Sequence, residues 1–153
     1  MLVRETFCVR APIQKVWQFL LDPEKIGSCI PGCDKIEISG GNAYTSTITI
    51  KLPIISITVE STTTISEITP PHHLKSVTEG KYDIGSGSFR QESVFDLREL
   101  SSGEVEVRYS AETKLAGELA GFGEKIMRSM AQGLAEQFAK NIQSKLEGDK
   151  AVG

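Results

Sequence analysis

The chain is short of the side chains that usually carry catalysis and metal binding, with 2 histidines and 3 cysteines among 153 residues. Three cysteines (Cys8, Cys29 and Cys33) cannot all pair within one chain. With no secretion signal to be seen, free thiols in a reducing compartment are expected. The opening MLVRETFCVR alternates charged and apolar residues, unlike a signal peptide. Long apolar runs are missing too. The greasiest stretch, LPIISITV at 52–59, is β-branched and far short of the roughly 20 residues a membrane-spanning helix needs. No Lys/Arg cluster stands out, and the formal net charge is -3, so the electrostatic footprint of nucleic-acid binding is lacking. A cytoplasmic location is the resulting expectation, at most peripheral at the inner face of a membrane.

What is present is ordinary for a soluble globular domain: 39% hydrophobic and 24% charged residues. The length suits one domain with a core that needs neither metal nor disulfide. Residues 2–10 alternate, with Val3, Glu5, Phe7 and Val9 on one side, and read as a first strand. Pro12 then opens a helix in which Ile13, Val16, Trp17 and Leu20 recur at helical spacing. Asp22-Pro23 signals a second short helix to about Ser28. Cys29-Ile30-Pro31-Gly32-Cys33 cannot continue it and reads as a turn.

From Asp34 to Leu115 the chain is strand-like. Strands are expected over Asp34–Ser39, Ala43–Leu52, Ile54–Ile68, His73–Lys81, Phe89–Leu100 and Glu104–Leu115, with turn residues between them. Tyr44, Ser46, Ile48, Ile50 and Leu52 share one face. Along the next strand Ile55, Ile57, Val59 and Ile65 are assigned to the buried side, and Ser, Thr and Glu to the wet side. The tail changes period. Leu119, Phe122, Ile126, Met130, Leu134, Phe138, Ile142 and Leu146 recur every three or four residues over roughly eight turns of helix, with Gly148 as the expected stop.

The order is therefore one strand, two short helices, about six strands and one long helix. It predicts an α+β fold of one domain over residues 1–148, with 149–153 frayed. A curved antiparallel sheet of about seven strands would wrap the long C-terminal helix. A straight rod laid in a curled sheet does not fill the concavity along its length. An apolar groove or tunnel is expected, walled by Tyr44, Ile48, Phe89, Phe95, Tyr109, Phe122, Ile126 and Met130, with Trp17 bordering its mouth. The competing reading is that these side chains make a filled core. Gly117, Gly121 and Gly123 soften the start of the last helix, so Gly121 with Ile30 and Pro31 of the cysteine loop is assigned to a portal.

Other motifs carry less. Cys29-x-x-x-Cys33 lacks the further ligands a structural zinc needs, so no metal is assigned. His72-His73 follows Pro70-Pro71 at a strand entrance, where a solvated or structural role outweighs general-base catalysis. Gly85-Ser86-Gly87-Ser88 superficially resembles a phosphate-binding loop, but strand rather than helix follows it. Glu79, Asp83 and Glu92 have no spacing that brings two carboxylates together. No catalytic residue and no cofactor is assigned.

The stretch FCVRAPIQKVWQFLLDPEKIGSCIPGCDKIE (7–37) resembles the opening of the CoxG family of carbon monoxide dehydrogenase subunits. The resemblance continues in ITPPHHLKSVTEG (68–80), SGEVEVRYSAE (102–112) and LAEQFAKNI (134–142). That family belongs to the START-like, polyketide cyclase/lipid-transport (SRPBCC) superfamily, so the resemblance implies a helix-grip fold. It also implies a non-catalytic accessory of a molybdenum hydroxylase, linked with recruiting that enzyme to the membrane and with a lipid or quinone-like ligand. Many members carry a C-terminal extension, whereas this sequence runs to Gly153. Two other functions stay open: a cyclase/aromatase- or hydrolase-like enzyme on the same fold, for which Gln91, Ser93 and Tyr109 could orient a substrate, and a protein-interaction module without ligand. The oligomeric state is open as well, a homodimer being one option.

Overall fold

The computed structural model describes residues 1–51, 56–83, 87–100, 103–117 and 124–152. Strand β1 (Leu2–Val9) leads into α1 (Ile13–Leu21) and α2 (Pro23–Cys29). Six strands follow: β2 (Cys33–Gly40), β3 (Ala43–Lys51), β4 (Ser56–Thr69), β5 (His73–Tyr82), β6 (Ser88–Glu99) and β7 (Val105–Ala116). The chain ends in α3 (Glu124–Val152). All seven strands form one antiparallel sheet in the order β1-β7-β6-β5-β4-β3-β2. Successive strands pair as hairpins, and β1 closes the far edge on β7. The predicted succession of elements is the one observed. Strand bounds move by about a residue, and the larger shift is at the end of α3, which continues through Gly148: a single glycine costs about 1 kcal/mol in a helix and does not by itself break one.

Local chemistry explains the joints. Asp22 ends α1 and starts α2, its carboxylate accepting from Glu24 N at 3.0 Å and Lys25 N at 3.3 Å. Pro23 follows at the first turn, where its missing N–H is not needed. Register shifts between Ile65 and Glu67 in β4 and at both ends of β2 add local twist, which helps the sheet curl.

The apolar interior falls into two parts. The larger surrounds α1, α2 and the C-terminal half of α3, where Val9, Val16, Val107 and Ile142 are wholly inaccessible. The smaller, Ile57, Val59, Tyr82 and Met127, lies under the start of α3. Polar bonds fasten the C-terminal half of the helix as well. Asn141 Nδ2 donates to Cys29 O at 2.9 Å and Gln143 Nε2 to Cys8 O at 2.7 Å. Glu147 accepts from Arg10 N at 2.7 Å.

Candidate functional site

Between the two parts of the interior the helix and the sheet fail to meet. Alternation along each strand sends Tyr44, Ser46, Ile48 and Ile50 of β3, every second residue from Ile57 to Thr63 of β4, and every second residue from Phe89 to Phe95 of β6 to the concave face. From above, α3 presents Met127, Met130, Ala131, Leu134, Ala135 and Phe138, and two of these six are alanines, whose side chain is a single methyl group. The shortfall leaves a cavity of about 270 Å³, lined mostly by apolar atoms. It lies just below the roughly 300–1,000 Å³ usual for small-molecule sites.

Most of the expected wall is here. Tyr44, Ile48, Phe89, Phe95, Tyr109 and Met130 line the cavity, and Ile30 and Pro31 reach its rim from the loop after α2. That loop is held to the sheet: Thr49 N donates to Gly32 O at 2.8 Å. Gly32 has φ +80°, and a Cβ there would stand 2.1 Å from Thr49 O, so only glycine allows this approach. Gly80 of β5 plays a related part on the sheet, since a Cβ would come within 2.8 Å of the Phe89 ring.

Two expectations are corrected. Ile126 is 64% exposed and faces away from the cavity, with its neighbour Met127 buried in its place. Trp17 is 5% exposed and packs in the larger core beside α1, outside the cavity lining. Phe122 and Gly121 lie outside the described residues, as do Leu52, Ile55, Gly85, Ser86, Leu119 and Gly123.

The floor is more polar than expected. Ser61 and Thr63, which share the parity of Ile57, Val59 and Ile65, are buried with them on the inner face of β4. Ser46 and Ser61 share a hydrogen bond of 2.9 Å, and Thr63 and Thr78 one of 2.8 Å. Gln91 Nε2 donates to Ser93 Oγ at 3.0 Å, and Thr113 Oγ1 donates to Gln91 Oε1 at 3.1 Å. Burial pushes the Tyr109 phenol up to about 12, opposed by its interaction with the Ser93 hydroxyl. Burial likewise raises Tyr44, opposed by Thr63. Both phenols therefore stay neutral at physiological pH.

No Asp, Glu, Lys, Arg, His or Cys side chain appears among the described lining residues. Such a surface can hold and orient a ligand, but it offers neither a carboxylate nor an imidazole to move protons. His73 sits elsewhere on the sheet, its Nδ1 2.7 Å from Asp96 and its Nε2 3.2 Å from Glu67. His72 Nδ1 lies 3.1 Å from Leu97 O. Cys29 is buried, and burial raises both its thiol and that of Cys33. Among the described residues no group of three potential ligands could hold a metal ion, and no helix is long and apolar enough to cross a membrane.

A profile of the CoxG family of carbon monoxide dehydrogenase subunits matches residues 6–147. The chain belongs to the CoxG family. Solved structures share its fold at low identity. A conserved protein from Geobacillus kaustophilus superposes with TM-score 0.87 at 23% identity, covering 97% of this chain and 96% of that one. A START superfamily protein from Mycobacterium smegmatis gives 0.74 at 14% identity, with coverages of 96% and 97%. The Zhui aromatase/cyclase from Streptomyces sp. R1128 gives 0.66 at 16%, covering 97% and 92%. The fold of this CoxG-family chain is therefore START-like. No curated protein matches its sequence significantly.

Proposed function

We propose that this CoxG-family protein is a non-catalytic accessory that binds a hydrophobic small molecule, lipid or quinone-like, between its sheet and the first half of α3. The observation that carries the reading is the unfilled apolar space of about 270 Å³ beneath Met130, Ala131 and Leu134. A void of this size forgoes packing that larger helix side chains would supply, which is hard to account for by stability alone. The family's name supports a molybdenum hydroxylase as the partner enzyme. Membrane contact, on this reading, is peripheral and serves to load or unload the ligand past Ile30 and Pro31.

Native mass spectrometry of protein purified gently from lipid-containing extract tests the proposal. A co-purifying apolar molecule, displaced by added isoprenoid quinone or fatty acid, is the expected result. Unliganded protein that takes up neither class at saturating concentration would sink it. Co-purification with a molybdenum hydroxylase tests the partnership separately.

A further inference from the structure

The protons on the cavity floor point to the chemistry of the ligand. Strand register brings one polar residue from each of five adjacent strands into line. Tyr44 pairs with Thr63, Thr63 with Thr78, Thr78 with Gln91 and Gln91 with Thr113. All five line the cavity, and the Ser46–Ser61 pair lies two residues along the same strands. Valine in place of the threonines would fill the same volume without a hydroxyl to satisfy, so packing does not explain them.

Each hydrogen bond within the floor uses one proton. The Ser46–Ser61 pair brings two hydroxyl protons to one bond, and the Tyr44–Thr63–Thr78 chain brings three to two, so one donor remains in each. Gln91 accepts from Thr113 and gives one amide proton to Ser93, which leaves its second N–H. The floor thus keeps O–H and N–H donors beyond those its own bonds use.

Charged side chains are absent beside them. The described lining carries no cationic or anionic side chain, and the Met1 ammonium is already engaged by Thr113 O at 3.0 Å and Glu112 Oε1 at 3.5 Å. A carboxylate or phosphate placed on the floor would lose its water without gaining a counter-charge. A neutral carbonyl or hydroxyl oxygen would gain hydrogen bonds and lose little.

We infer that the ligand is a neutral molecule whose apolar body packs under α3 and whose carbonyl or hydroxyl oxygen rests on the Tyr44–Thr113 row. The inference rests on the ligand-binding reading above and narrows it by excluding ionised fatty acids and phospholipid headgroups from the cavity floor.

Calorimetric titration of the full chain with three compact probes tests it: tetralin (hydrocarbon), 1-tetralone (neutral ketone) and 2-naphthoate (carboxylate). At neutral pH 1-tetralone should bind about five- to tenfold more tightly than either of the others, as one to two net hydrogen bonds would give. Thr78→Val and Gln91→Leu should each erase the ketone's advantage while tetralin binds at least as tightly as before, and retained tetralin binding reports an open cavity. If one variant does not fold, the other carries the comparison. Equal affinity for tetralin and 1-tetralone, preference for the carboxylate, or a ketone advantage that survives both variants would overturn the inference and leave the apolar carrier standing. Failure of all three probes to bind up to their solubility limits would overturn both.

Discussion

The ring of Phe95 lies 4.9 Å from that of Tyr109, inclined at 37°, and this pair marks the boundary between filled core and cavity. Phe138 of α3 completes a trio, its ring 5.3 Å from Tyr109 and 6.2 Å from Phe95. All three line the cavity, and Phe95 and Tyr109 also belong to the larger core. Phe138→Ala should enlarge the cavity toward that core and cost about 3 kcal/mol, the low end for Phe→Ala, because Phe138 is only partly buried. Chemical denaturation would register the loss. Bulkier ligands should gain affinity relative to compact ones, and an unchanged size preference would place the boundary elsewhere.

Two alanines of α3 separate filled from unfilled space. Ala131 faces the cavity, whereas Ala139 is buried in the half of the helix clamped to β1 and α2. Ala131→Leu should change stability by less than about 1 kcal/mol and abolish binding by occupying the void. Ala139→Leu should cost about 1–3 kcal/mol through overpacking and leave ligand affinity intact. Melting temperatures together with a binding titration decide it, and equal destabilisation by the two would mean that no usable space exists beside Ala131.

The succession of elements and most of the cavity wall are readable because period-2 alternation assigns faces without knowledge of the partners, and Pro12 and Asp22-Pro23 mark the two helix starts. Ile126 was misplaced for a geometric reason. Steps of four residues overshoot a helical turn by about 40°, so an unbroken i+4 line winds off the buried face. The face α3 uses mixes steps of three and four through Met127, Met130, Ala131, Leu134 and Ala135, and its alanines add little to an apolar pattern. The polar floor was hidden differently. Parity places Ser61 and Thr63 on the face of Ile57 and Val59, but only the register of β3 to β5 reveals the hydroxyl partners they meet there. Whether rod and trough leave space is a question of volumes, which periodicity does not contain.

His73 gives the sheet a pH-dependent tie between strands. Its bond to Asp96 and, secondarily, that to Glu67 raise its pKa above the usual imidazole value. A pKa higher in the folded state means that the stabilisation is full below about pH 6.5 and is lost as pH rises through the raised value. The site is partly exposed and screened, so the tie should contribute only about 0.5 kcal/mol. His73→Gln should flatten the stability profile from pH 6 upward. A mutant with the same slope as the parent over that range would show that the carboxylates do not hold the ring in solution.

Tyr109 should govern the alkaline limb. Desolvation raises its phenol to about 12, whereas the unfolded chain ionises near 10. Ionisation therefore favours the unfolded state between those values, and stability that is complete below pH 10 falls by about 2–3 kcal/mol by pH 12. Tyr109→Phe removes this source of loss while keeping the ring against Phe95, so its denaturation midpoint should decline less over that interval. Ultraviolet titration of the native protein should show at least one phenol ionising late and together with unfolding. If every tyrosine titrated near 10 with the fold intact, water would have to reach the cavity floor freely, and the dry, neutral-ligand site argued above would be lost with it.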